Sequence, residues 1–470
     1  MRPVLPVLLI LSAVVSPAGL RAAQPRDPAK LATELCAGCH GAVLTGGTAP
    51  SLLDDVWKYG SDDASILRVI RDGLPQAGMV GYAPILSAEE QTAMVAYLRQ
   101  QGRAYALGRM KIPEVPASLT VKSERHTFRL ETFTPGLDAP WGIVFLPDDS
   151  LLVSGRNGQL RAIAKDGKLN SEPIRNTPTP FVKQDGGYFD LIAHPDYARN
   201  GWLYLAYSEL GEDRVKSMTV IVRGRVRDGA WVDEQPIFRA PPKFYYAATI
   251  HYGGRFLWDK SGNLFFTLGE RDNANESQDI TSPLGKIHRI RDDGSTPPDN
   301  PFVKTPGALP TIWSYGHRNP QGLQYHPVTG ILWSTEHGPR NGDELNRIEP
   351  GKNYGWPLAS WGQARSNETI GGTSHPGTEQ PIVQWSPAIA PAAIEFVTTP
   401  RFPNWKNDLL VCGLVGRQLR RVVTDGDKVT HQEVLFTDQG RVRDVTIGPD
   451  GLIYLALNAP GRIARLVPVE

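Results

Sequence analysis

Two hydrophobic periodicities divide the chain. Over residues 26–102, apolar positions recur at three- and four-residue intervals: Leu31 and Leu35, then Ile66, Val69 and Ile70, then Met94, Val95, Tyr97 and Leu98. That spacing predicts three short helices. Asp27 before Pro28 caps the first, Ser61 and Gly73 bracket the second, and the capping box Ser87-x-x-Glu90 opens a third that Gly102 ends. Residues 103–125 hold two prolines and no period, and read as a linker. From about residue 130, short alternating runs follow Asp/Pro/Gly turns. They are Phe145-Leu-Pro-Asp-Asp-Ser-Leu-Leu-Val, His194-Pro-Asp with Gly201-Trp-Leu-Tyr-Leu, Trp258-Asp-Lys-Ser-Gly-Asn-Leu-Phe-Phe, His326-Pro-Val-Thr-Gly-Ile-Leu-Trp, Pro403-Asn-Trp-Lys-Asn-Asp-Leu-Leu-Val and Gly448-Pro-Asp-Gly-Leu-Ile-Tyr-Leu. The spacing averages about 60 residues, longer than a simple four-strand blade, so some blades carry inserted loops. The expectation is an α plus all-β two-domain chain: a small all-α domain at 26–102, then a six-bladed β-propeller over 126–470. A parallel β-helix, with shorter and stricter repeats, is the lesser alternative.

Charge removes several functions from consideration. With 50 basic and 49 acidic residues the net charge is +1, which offers no footprint for nucleic acid or an anionic membrane surface. The opening MRPVLPVLLILSAVVSPAGLRAA has Arg2, an apolar run from Val4 to Val15 and small residues after it. It reads as a signal peptide over residues 1–23, cut after Ala18 or near Ala22 or Ala23, and implies periplasmic export; an uncleaved anchor is the alternative. No later segment is apolar enough to span a membrane. Only three cysteines are present, so stability is expected from core burial, with Cys412 in Asp-Leu-Leu-Val-Cys-Gly-Leu-Val a buried strand residue.

The other two cysteines fall in Cys36-Ala-Gly-Cys39-His40, the covalent attachment pattern of c-type haem. On a helix, Cys36 and Cys39 share a face and reach both vinyl groups of one porphyrin, while His40 meets the iron. A zinc site would want a second Cys/His pair, and a thioredoxin-like pair would want a preceding strand; neither is present. With its three helices, the segment resembles a class I cytochrome c. That resemblance implies a second axial ligand from the loop Gly73–Leu86, whose only methionine is Met79. A thioether raises the haem potential relative to bis-histidine ligation.

In the second domain, Tyr315-Gly-His-Arg318-Asn319-Pro-Gln-Gly, Glu336-His-Gly338-Pro339-Arg-Asn-Gly-Asp343-Glu344, Asn353-Tyr354-Gly-Trp-Pro, Gly187-Tyr-Phe-Asp-Leu-Ile-Ala-His-Pro-Asp and Arg441-Val-Arg443-Asp-Val stand out. Together they resemble the soluble sugar dehydrogenases that depend on pyrroloquinoline quinone (PQQ), from about Pro140 to the C-terminus. The resemblance implies that Arg441 and Arg443 bind the PQQ carboxylates, that Arg318 and Asn319 meet the quinone oxygens, and that Gln184 lies nearby with Trp385 closing the pocket. It makes His251 the base, a role suited to neutral imidazole near pH 7. It also implies Ca²⁺ held by the carbonyls of Gly338 and Pro339, and a second calcium using Asp343, Glu344 and Tyr354. An Arg-x-Arg strand by itself is more often a solvated face; the joint occurrence reverses that reading. In one place the chain departs from the pattern: Val415 stands where the family carries a lysine toward PQQ, and Arg417 follows two residues later.

The implied activity is oxidation of an aldose at C1 to the lactone, with electrons relayed singly through haem c to an external periplasmic acceptor (a cytochrome, a cupredoxin or a quinone-linked protein). Two alternatives stay open: a haem electron carrier whose propeller is a docking module, and a PQQ dehydrogenase for a non-sugar alcohol or aldehyde.

Overall fold

A computed structural model of the chain describes residues 25–40, 43–44, 49–53, 57–77, 79–106, 117–364 and 368–469. The expected signal peptide and residues 107–116 of the expected linker lie outside them. Asp27 caps the first helical stretch, its carboxylate accepting from the Ala29 amide at 3.1 Å. That stretch runs Pro28–Leu31, widens by one residue per turn over Ala32–Cys36, and resumes over Ala37–His40. Local widening of this kind is frequent where a helix carries function. The second helix, Asp63–Asp72, is capped by Asp62 rather than Ser61. Asp62 has two oxygens to offer, one taken by the Ser65 amide (2.8 Å) and one by the Ser65 hydroxyl (2.7 Å). The capping box closes reciprocally, Ser87 N to Glu90 at 3.0 Å and Glu90 N to Ser87 Oγ at 3.2 Å. Its helix, Ala88–Ala106, passes through Gly102, which is buried against the Leu53 backbone and does not end it. Leu31, Ile66, Ile70, Leu86, Met94 and Leu98 form this domain's core.

Six sheets follow, the six blades of a propeller. Their inner strands are Pro140–Phe145, Tyr188–Ala193, Phe256–Trp258, Pro320–Tyr325, Pro391–Phe396 and Arg441–Ile447, which number the blades 1 to 6. The ring is closed by a strand from the other end of the domain: Thr127–Pro135 pairs antiparallel with Arg462–Pro468, inside blade 6. Ser118–Lys122, which the sequence assigns to the linker, pairs with Thr127–Pro135 as the outer edge of that blade. Each junction between neighbouring blades carries its own apolar cluster, six in all, from the Leu152/Leu205 group between blades 1 and 2 to the Tyr454/Ile143 group between 6 and 1. The core is therefore a set of radial seams, and Cys412, fully buried, lies in one of them.

The axis is polar. Arg255 is buried between Asp444 (2.8 Å) and Asp190 (3.3 Å), while Asp190 also takes the amides of Leu191 and Phe256. In five blades the register slips near the start of the inner strand, at Pro140/Gly142, Tyr188/Leu191, Pro320/Gly322, Pro391/Ile394 and Val442/Asp444. Such bulges re-aim side chains at a sheet's end. They act here at one end of the axis, where Gln184, His251, Arg318, Asn319, Arg441 and Arg443 all enter or begin inner strands.

Candidate functional site

His251 precedes the inner strand of blade 3 with its backbone at φ 55°, and is 8% exposed. Close approach fixes it there: a Cβ on Gly269 would lie 2.2 Å from the His251 carbonyl, so only glycine fits. Nδ1 of His251 hydrogen-bonds Glu270, leaving Nε2 for the cavity. Burial, reinforced by Arg318, drives the imidazole well below its ordinary value, so it is neutral at pH 7. Burial also raises Glu270, to about 7, and its second oxygen has no partner among the described residues. Arg271 holds the loop from beneath, stacking on Tyr252 at 3.5 Å and donating to the carbonyls of Ile250 and Ala248.

Arg318 is fastened by Glu336, which accepts the Arg318 amide at 2.8 Å and, through its other oxygen, His317 and Asn346 at 3.1 Å each. The guanidinium donates to the carbonyls of His337 (3.2 Å) and Gly338 (2.6 Å) and lies 5.3 Å from the Trp356 ring. Asn319 is used as a brace. Its oxygen takes Gly253 N (3.1 Å) and Gln321 (3.2 Å), and its amide nitrogen meets His337 at 3.3 Å. Arg443 donates to Gln321 at 3.2 Å beside Trp141, and burial first, then Arg441, lowers it to about 9. Gln184, at φ 52°, accepts from Thr249 at 2.6 Å, and its carbonyl accepts from Arg156. Neither Arg318 nor Arg443 forms a salt bridge among the described residues, and each keeps an Nε without a partner. Half-buried cations left this way favour an anion among them. A planar tricarboxylate fits such a donor set.

Two expectations are corrected. Trp385 does not close the pocket. It is 5% exposed within the seam between blades 4 and 5, packed with Leu345, Ile394 and Val411, and its indole donates to Gln432 at 2.8 Å. The alternation Val383-Gln384-Trp385 puts it on the core face with Val383. Nor do the side chains of Asp343, Glu344 and Tyr354 converge on one ion. Asp343 accepts from the amides of Gly338 (2.9 Å), Ile389 and Ala390 (2.7 Å each), and the Tyr354 hydroxyl is bound to Arg347 O (2.5 Å) and Glu349 N (2.9 Å). Glu344 lines a small cavity together with Tyr354, Arg318, Glu336, Gly338 and Pro339. Burial and then the Glu336 charge raise it to about 8, so a hard cation near those carbonyls and carboxylates is favoured.

Sequence reasoning misses Glu270 and Glu336. Glu336 is the last residue of the buried second strand of blade 4, Leu332–Glu336, and Glu270 lies two residues beyond the buried second strand of blade 3, Leu264–Leu268. A charged residue at or just past the end of a buried strand is the signal that marks them.

In the helical domain, Cys36 lies on the first helical stretch; the Cys39 side chain falls outside the description. His40 Nδ1 is 2.7 Å from the Pro50 carbonyl, which leaves Nε2 for a metal. Met79 pairs with Leu74 in a tight loop (Leu74 N to Met79 O, 2.8 Å) that needs Gly73 and Gly81, since a Cβ on Gly73 would meet Gly81 N at 2.4 Å. The buried Trp57 indole nitrogen has no partner among the described residues. These features fit a haem with polar propionate edges.

Comparison with known proteins gives the following. Residues 137–465 match the family Glucose / Sorbosone dehydrogenase, and residues 23–98 match Cytochrome C oxidase, cbb3-type, subunit III. Aldose sugar dehydrogenase YliI of Escherichia coli (strain K12) is 38% identical over 365 residues, covering 76% of this chain and 97% of its own. The soluble aldose sugar dehydrogenase from Escherichia coli in the apo-form has the same fold, with TM-score 0.69 and 38% identity over 73% of this chain and 100% of that one. The PQQ-bound form of the aldose sugar dehydrogenase from Streptomyces coelicolor follows at TM-score 0.59 and 29% identity, over 75% and 99%.

Proposed function

The chain belongs to the glucose/sorbosone dehydrogenase family, and from that premise we propose that it oxidises an aldose at the C1 hydroxyl to the lactone, using PQQ and Ca²⁺, and passes electrons through a covalent haem c to an external periplasmic acceptor. When bound, PQQ supplies the hydride acceptor, calcium the Lewis acid beside it, and haem a one-electron carrier. The observation that carries the reading is a neutral buried base, His251 on Glu270, set on the same propeller face as two half-buried arginines without salt bridges among the described residues.

His251 Nε2 accepts the hydroxyl proton while the C1 hydride leaves. Glu270 holds Nδ1–H and so keeps Nε2 unprotonated before the step, then stabilises the imidazolium after it. Arg441 and Arg443 bind the cofactor carboxylates. Arg318 and Gln184 orient the quinone edge, and Asn319 braces that edge by tying His337 to Gly253. The Gly338 and Pro339 carbonyls hold the cation, with Glu336 and Glu344 behind them. His40 and Met79 would ligate the haem iron, and Cys36 and Cys39 would carry the porphyrin. Residues 1–23 direct export.

The purified chain, loaded with PQQ and Ca²⁺ and given aldoses, should show its oxidised haem band turn to the reduced form, and His251→Gln should stop it while leaving the haem spectrum intact. Loaded protein whose haem no sugar reduces would leave a cytochrome with an inert propeller.

A further inference from the structure

Two arginines on the same propeller face are not used by that chemistry. Arg417 ends the turn between the second and third strands of blade 5, at φ 50°, and Arg462 opens the third strand of blade 6. Arg462 is only 3% exposed, yet among the described residues its Nε and Nη1 have no partner; Nη2 alone is taken, by the Gln439 carbonyl at 2.8 Å. Arg417 donates Nη2 to the Ala459 carbonyl at 3.1 Å, and its Nε is likewise without a partner. Neither forms a salt bridge among the described residues. Like charge is felt between them: burial, then Arg417, lowers Arg462 to about 10, and exposed Asp438 is the acid that acts on Arg417. Their position adjoins the cofactor strand. Ala459 directly follows Asn458, the cross-strand partner of Arg441.

Two neighbouring guanidiniums with spare donors, one nearly sealed from water, are costly unless an anion neutralises them. In the same turn, Val415 is half exposed and carries no charge, so the turn's cation is Arg417. We propose that Arg417 and Arg462 form an anion site that extends the Arg441–Arg443 strand outward and takes a carboxylate of the tricarboxylate cofactor, with Arg417 in direct contact and Arg462 the charge behind it. This rests on the cofactor reading above.

The test is PQQ titrated into the full-length, Ca²⁺-loaded protein, followed by quenching of tryptophan fluorescence, with melting curves of each apo variant. Arg417→Leu should weaken binding about tenfold or more, the loss expected of one charge-assisted hydrogen bond. Adding Val415→Lys to that variant should restore most of it, a rescue that a purely structural role would not give. Arg462→Met should weaken binding and raise the apo melting temperature. Wild-type affinity in Arg417→Leu, or no rescue by the lysine, overturns the proposal and leaves the cofactor reading standing. Wild-type protein that takes up no PQQ removes both.

Discussion

At the scale of single residues, the chemistry turns on which partner holds the proton between His251 and Glu270. Below about pH 7 the Glu270 carboxyl is protonated and donates to Nδ1, which puts the imidazole proton on Nε2 and leaves no base. Above it, the carboxylate accepts Nδ1–H and Nε2 carries the lone pair. Turnover should therefore rise with pH through a limb near 7. Glu270→Gln should erase that limb and lower kcat on the order of tenfold or more, with KM little changed; a limb unmoved by the substitution would assign it elsewhere. His251, Arg318 and the Arg441/Arg443 pair are indicated in the sequence by the family resemblance, and the structure brings them to one end of the propeller axis. Glu270 is not, because its partner lies 19 positions away and only the blade topology brings them together. Trp385 is assigned to the pocket by the resemblance alone, while its alternation with Val383 governs its placement in the seam.

Among elements, the six turn-plus-strand repeats predict six blades, and each repeat seeds one hairpin of a blade. The closing strand is beyond such reading, since nothing local in Thr127–Pro135 says that it pairs across more than 300 residues with Arg462–Pro468. Ser118–Lys122 reads as linker for another reason: its partner is the strand that directly follows it, but its short run shows no clear apolar alternation and it lies at the blade's outer edge. Phe128 is fully buried where this strand meets blade 5, in edge contact with Trp405 at 5.6 Å. Phe128→Ala should cost about 3–5 kcal/mol by denaturant unfolding. A loss below about 1 kcal/mol would mean that closure contributes little to the ring.

For the whole molecule, one chain joins the cytochrome-like domain to the propeller through residues 107–117. A short tether holds its partner at an effective concentration on the order of millimolar. With a protease site placed in 107–116, haem reduction before cleavage should be first order and independent of protein concentration; afterwards, at micromolar protein, it should slow and scale with concentration. An unchanged rate would show that the covalent link is irrelevant to electron passage. Ring closure also sets an order of events. Blade 6 draws its strands from both ends of the propeller, so the toroid stays open until Arg462–Pro468 has been synthesised. A nascent chain threaded outward amino-end first would present its haem-attachment segment to the maturation machinery while the rest is still an unjoined arc, and porphyrin ligation would not wait on the dehydrogenase module.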